Sequence, residues 1–140
     1  MLFRSELAKQ ALSLNALSGG RFTLGIGLGA REDDYEDSGV EYRDRGRLFD
    51  EQLERIKEIW AGGEVGPTSH GAPQLILGGH ADASFARAAR FGDGWIAAGA
   101  GPDQYAEPVA KARAAWSEAG RDGEPRTQPL ASHGRRANQR

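Results

Sequence analysis

The chain has 140 residues and a mass of 15.0 kDa, enough for one domain with a real core and no more. A net charge of −2 gives no general attraction to nucleic acid or an anionic membrane, and the lack of cysteine excludes disulfides, thiolate nucleophiles and cysteine-bound metal. The opening MLFRSELAKQ has no apolar core of signal-peptide length, and no stretch approaches the ~18–20 apolar residues of a membrane span, so a soluble, cytoplasmic protein is expected.

Residues 3–17 predict a helix, with Leu7, Ala11, Leu14 and Leu17 along one face. Ser18-Gly19-Gly20 supplies glycine termination. Next comes RFTLGIGLG, residues 21–29, where Phe22, Thr23, Leu24 and Ile26 favour a strand. A short apolar run of this kind suits a strand buried on both faces of a parallel sheet. Gly25, Gly27 and Gly29 alternate through its second half, which marks a bulge or a close approach by ligand or backbone. A charged loop, residues 31–37, follows at the strand end where parallel sheets bind ligands.

From Tyr42 to Ala61, Leu48, Phe49, Leu53, Ile56, Ile59 and Trp60 form a broad apolar stripe opposite a charged face, so a long amphipathic helix is expected. Gly62-Gly63 stops it, and a Gly/Pro/Ser/Thr-rich loop runs to Pro73. Gln74 to Gly78 reads as a second buried strand, Ala83 to Phe91 as a short helix, and Trp95 to Ala97 as a third strand. The last helix, from about Asp103 to Ala119, faces Tyr105, Val109, Ala112 and Trp116 inward, with Pro108 near its first turn. Residues 121–140 hold five arginines against Asp122 and Glu124, and so little apolar material that residues 122–140 are expected to form a basic, disordered tail. Its spread charges without aromatics make a weak case for nucleic acid. Helix and strand alternate strictly, which predicts an α/β fold of parallel βα units, either a small open sheet or part of a barrel.

Three constellations could carry chemistry. GGHADAS, Gly78 to Ser84, stands between strand and helix. Paired glycines there let the backbone approach an anion, the next helix points free N–H groups at it, and Ser84 adds a hydroxyl. The competing reading is a tight βα turn with Asp82 as N-cap and no ligand. The glycine strand matches the dinucleotide fingerprint in the form Gly25-x-Gly27-x-x-Ala30, but that motif must open a helix, and a charged loop is expected instead. Glu32, Asp33, Asp34, Glu36 and Asp37 offer carboxylates for acid–base work or divalent metal, though a charge run in a loop is usually a solvated surface. His70, His80 and His133 lack metal-ligand spacing, and no nucleophile elbow or Walker loop is present.

In order along the chain, LSGGRFTLGIGLG, the acidic loop, RGRLFDEQLERIKEIW, LILGG and ARFGDGW resemble the luciferase-like monooxygenase family. The resemblance covers residues 6 to about 121 and implies a partial TIM-type (β/α)8 barrel that holds a flavin at the carboxyl ends of its strands. The cofactor would be coenzyme F420 or FMN, acting on a small organic substrate. The family's phosphate loop would fall on Gly78 and Gly79, with His80 and Ser84 beside them. The strand end at Gly27 to Gly29 and the loop at Ala97 to Gly99 would line the mouth. No catalytic acid or base is implied at a numbered position. Family members have about three strands before the first helix seen here, so the resemblance is to the middle of a barrel. That leaves a second reading: a non-catalytic, truncated barrel segment that binds phosphate or flavin weakly or acts as an assembly partner, with open strand edges favouring a homo-oligomer.

Overall fold

The computed structural model describes residues 3–98 and 101–130. In chain order its elements are α1 (Phe3–Leu17), β1 (Thr23–Gly27), α2 (Asp33–Ser38), a 3-10 turn (Tyr42–Asp44), α3 (Arg45–Gly62), β2 (Gln74–Gly78), α4 (Asp82–Phe91), β3 (Gly94–Ala98), a second 3-10 turn (Pro102–Gln104), α5 (Ala106–Glu118) and β4 (Arg126–Leu130). The strands form one sheet in the order β1-β2-β3-β4, every pairing parallel. Strand order follows chain order without reversal. A doubly wound nucleotide-binding sheet reverses at its switch point, whereas a barrel winds on in one direction.

Side-chain alternation separates the two faces of the sheet. The core cluster takes Leu24 and Ile26, Leu75 and Leu77, and Trp95 and Ala97 from one face, packed against Ala8, Leu12, Leu53, Ile56, Phe85, Ala88 and Ala112 of the helices. The opposite face carries Gly25 and Gly27, Gln74, Ile76 and Gly78, Gly94 and Ile96, and Arg126 and Gln128. Helices on one face and glycine-rich strands on the other give an α/β segment of a TIM-type barrel, as expected.

α3 is the anchor of the helical layer. Phe49, Leu53, Ile56, Ile59 and Trp60 are buried along it, and Gly63 ends it in the left-handed region (φ 67°). Arg90 of α4 pairs with Glu54 at 2.5 Å, and Arg87 pairs with Asp50, so two guanidinium groups tie α4 to α3.

Four expectations need correction. α1 has the expected span but not the expected face. Ala8, Ala11, Leu12 and Asn15 are buried, while Leu14 and Leu17 are 48% and 85% exposed. Polar contacts choose that rotation: the Trp60 indole donates to the Ala8 carbonyl (3.1 Å), and Asn15 Nδ2 donates to the carbonyls of His70 and Gly71 (3.3 and 3.1 Å). β1 is an outer strand, with Gly25 and Gly27 exposed, not a strand buried on both faces. Residues 33–38 are helical, but this single short helix buries nothing and begins four residues after Gly29, so the dinucleotide fingerprint stays unmatched.

The fourth correction concerns the tail. Residues 126–130, expected to lack structure, form β4 and pair with β3 from Gly94↔Arg126 to Ala98↔Leu130. The pairing is close enough that a Cβ at Gly94 would lie 2.0 Å from the Arg126 carbonyl oxygen. The Arg126 guanidinium then crosses the open face and donates to Gln74 Oε1 on β2 (2.5 Å) and Thr23 Oγ1 on β1 (3.4 Å). Residues 131–140 of that expected tail lie outside the described residues.

Candidate functional site

The candidate site lies where β1 and β2 end. Gly27 and Gly78 are partners in the parallel register, so two residues without side chains stand side by side at the carboxyl end of the sheet. Gly79 follows with φ +134°, a conformation that L side chains rarely adopt. An added Cβ there would sit 2.3 Å from Ser84 Oγ and 2.8 Å from Ser84 Cβ. Position 79 therefore excludes a side chain both by its backbone and by what packs against it.

The turn is held from beneath. Trp95 on β3 is fully buried, and its indole N–H donates to the Gly79 carbonyl at 2.8 Å. Phe85 of α4 packs on Trp95 with ring centroids 5.2 Å apart, and the His80 ring meets the same tryptophan edge-on at 6.1 Å. One indole thus supports the glycine, the first turn of α4 and the histidine.

The start of α4 carries no capping side chain. Ala81 is the N-cap, with extended backbone (φ −75°, ψ 149°), and Asp82 is the first helical residue, not the cap expected in the ligand-free reading. Ser84 N–H closes a turn onto the Ala81 carbonyl at 2.8 Å. Ahead of it, the N–H groups of Asp82 and Ala83 have no intrahelical acceptor, and with no side chain supplying one they are positioned for an anion. Beside His80 a cleft of about 480 Å³ opens toward α5, lined by Phe85, Asp103, Gln104, Glu107 and Lys111 among others.

A sequence profile described as luciferase-like monooxygenase matches residues 5–133. The chain belongs to that family. An uncharacterized protein of Mycobacterium tuberculosis is 36% identical over 91% of the chain and 47% of its own length, so the chain spans about half of the curated relatives it matches. Two solved structures share the fold. The monooxygenase RslO1 from Streptomyces bottropensis aligns with a TM-score of 0.71 at 22% identity over 86% of this chain and 42% of that one. An F420-dependent secondary alcohol dehydrogenase, in complex with an F420-acetone adduct, aligns at 0.68 with 16% identity over 85% and 42%.

In this luciferase-like chain the residues singled out in the sequence are brought together unequally. Gly27, Gly78, Gly79 and Ser84 are contiguous, and His80 stands over Trp95 at the exposed rim. Gly29 lies two residues beyond β1, where a Cβ would meet the Tyr35 hydroxyl at 3.4 Å. Ala97 is buried in β3, while Gly99 and His133 lie outside the described residues. His70 is exposed and engaged with Ser69 (3.1 Å). Among the described residues no group of three His, Cys, Asp or Glu side chains is placed to hold a metal. The acidic run is solvated, and Arg31 beside Asp33 holds that carboxyl below its ordinary range. Both side chains are well exposed, so the pair adds little to stability.

Two features escaped the sequence. Trp95 carries the Gly79 carbonyl from another strand, and nothing local to either residue signals the other. Tyr35 and Tyr42 bond to the Gly29 and Ala30 carbonyls (2.9 and 3.0 Å). Tyr35 stands in a run expected to be a charged loop and Tyr42 at the start of the expected long helix, so neither position signals that role. No described helix is long and apolar enough to cross a membrane.

Proposed function

We propose that the chain forms the phosphate-anchoring part of a flavin-dependent oxidoreductase of the luciferase-like type, using FMN or coenzyme F420 on a small organic substrate. The uncapped start of α4 beside Gly79 carries this reading. Both cofactors bear a phosphate, and a glycine turn with free N–H groups and a nearby hydroxyl fits that group. Gly78, Gly79 and Ser84 would hold it, with His80 at the rim and the glycine edge at Gly27 and Gly29 leaving room for a flat ring.

When bound, the reduced cofactor supplies the electrons, as hydride to an organic substrate or toward dioxygen. The chain's own residues anchor the anion, fix the turn through Trp95 and exclude side-chain bulk from positions 27, 78 and 79. The second reading, a weak binder without turnover, draws on the exposed glycines of β1, Gly25 and Gly27, which give a ring one open wall. That reading predicts binding without oxidation or reduction of any substrate.

Titration of FMN and of phosphate-free riboflavin, followed by flavin fluorescence, tests the anchor. The parent should bind FMN more tightly than riboflavin. Gly79→Val should weaken FMN at least tenfold, about 1.4 kcal/mol, and erase its advantage over riboflavin. Ser84→Ala removes one hydroxyl and should cost FMN about 0.5–1.5 kcal/mol. Equal affinities of the parent for the two flavins would place the phosphate elsewhere. The same comparison with coenzyme F420 and its phosphate-free chromophore decides which cofactor is preferred.

A further inference from the structure

The segment between β1 and α3 holds a paired aromatic contact that phosphate anchoring does not use. Tyr35 on α2 and Tyr42 in the following 3-10 turn meet edge to face, with ring centroids 5.4 Å apart and planes at 76°. Each phenol donates to a carbonyl of the chain leaving β1, Tyr35 to Gly29 and Tyr42 to Ala30. Tyr42 is itself fixed to the start of α3. The Arg45 guanidinium lies 3.6 Å above its ring, and Arg45 Nη1 donates to the Tyr42 carbonyl at 2.8 Å. A chain of contacts therefore runs from α3, the anchor of the helical layer, through Arg45 and Tyr42 to the exit of β1.

That exit needs support. β1 is an outer strand, and its last residue, Gly27, has no side chain with which to pack. Gly27 is also the register partner of Gly78. Whatever sets Gly29 and Ala30 thus sets the β1 side of the site, next to the phosphate turn. We propose that Tyr35 and Tyr42 are positioning residues for the ring end of the flavin site, holding the β1 exit in place through two carbonyls while touching no cofactor themselves. This rests on the flavin reading and adds to it which residues govern the β1 side of the pocket, beyond the phosphate turn.

Tyr35→Phe and Tyr42→Phe keep the rings and remove one hydroxyl each, and thermal melts check that both variants fold. The probes are FMN and riboflavin, with the visible spectrum of the bound flavin as a second readout. Loss of one hydrogen bond should weaken each flavin about two- to tenfold. FMN and riboflavin should weaken by the same factor, leaving their affinity ratio at the parent value, and the bound spectrum should shift. In parallel, backbone amide exchange over residues 28–31 should quicken, while that of residues 79–84 should not change. Parent-like affinities and spectra in both variants overturn the clamp and leave the phosphate anchor intact. A loss confined to FMN also overturns it, because that would assign the tyrosines to the phosphate end. Failure of the parent to bind either flavin overturns the flavin reading and the ring-end role together.

Discussion

Gly79 holds its unusual backbone against the first turn of a helix, not in an open loop. The position carries two separable penalties: a φ of +134° and a collision with Ser84. Backbone strain of this kind is worth about 1–3 kcal/mol for a residue with a side chain. Gly79→Ala should therefore destabilise the chain by at least that much in urea unfolding. Repeating it in a Ser84→Gly background removes the obstructing hydroxyl and Cβ, so part of the loss should return. The part that does not return measures the backbone alone. An identical loss in both backgrounds would mean the two residues do not couple. Ser84 thus has two parts at the same turn, filling space over Gly79 and presenting a hydroxyl, and flavin titration with Ser84→Ala isolates the second.

At the scale of elements, α1 offers a direct test of which face is buried. Leu12 is 2% exposed and Leu17 is 85% exposed. Leu12→Ala should cost about 2–5 kcal/mol, as for other buried leucines. Leu17→Ala should stay within about 0.5 kcal/mol. Equal losses would restore the face that leucine spacing suggests. The contrast explains what was legible beforehand. α3 was readable because its buried stripe is long and interrupted by nothing, and β2 because QLILG is apolar between clear turns. α1 was readable as a helix but not in rotation, since Ala8 and Asn15 are chosen by hydrogen bonds from Trp60 and to the loop before β2. β4 was not readable at all. RTQPL has little apolar material and contains a proline, and it is a strand because β3 offers it a ladder, a non-local cause. The site divides the same way: the Gly78–Ser84 turn is written in adjacent residues, but its support by Trp95 crosses from one strand to another.

For the molecule as a whole, the two outer strands matter most. β1 and β4 each have one edge with no strand partner among the described residues. The face between them is largely glycine along β1 and at Gly78 and Gly94. Unpaired parallel edges of five residues each are templates for further pairing. The isolated chain should therefore associate with rising concentration, seen as a sedimentation coefficient that climbs between about 1 and 100 µM, within the range where exposed edges drive association. A constant value for a monomer would show those edges to be protected.

The guanidinium of Arg126 also ties together segments that leave the ribosome far apart in time. It joins Thr23 across 103 positions of chain and Gln74 across 52. Closing a loop twice as long adds only about 0.6 kcal/mol of entropy, so the tie is thermodynamically affordable. Kinetically it is late, because distant partners meet slowly. On the ribosome, β1 and β2 are synthesised long before Arg126 leaves the exit tunnel. Until then Thr23 and Gln74 lack the arginine that β4 brings to them. The three earlier strands wait, with an open flank on β3, for a strand whose own composition scarcely announces it.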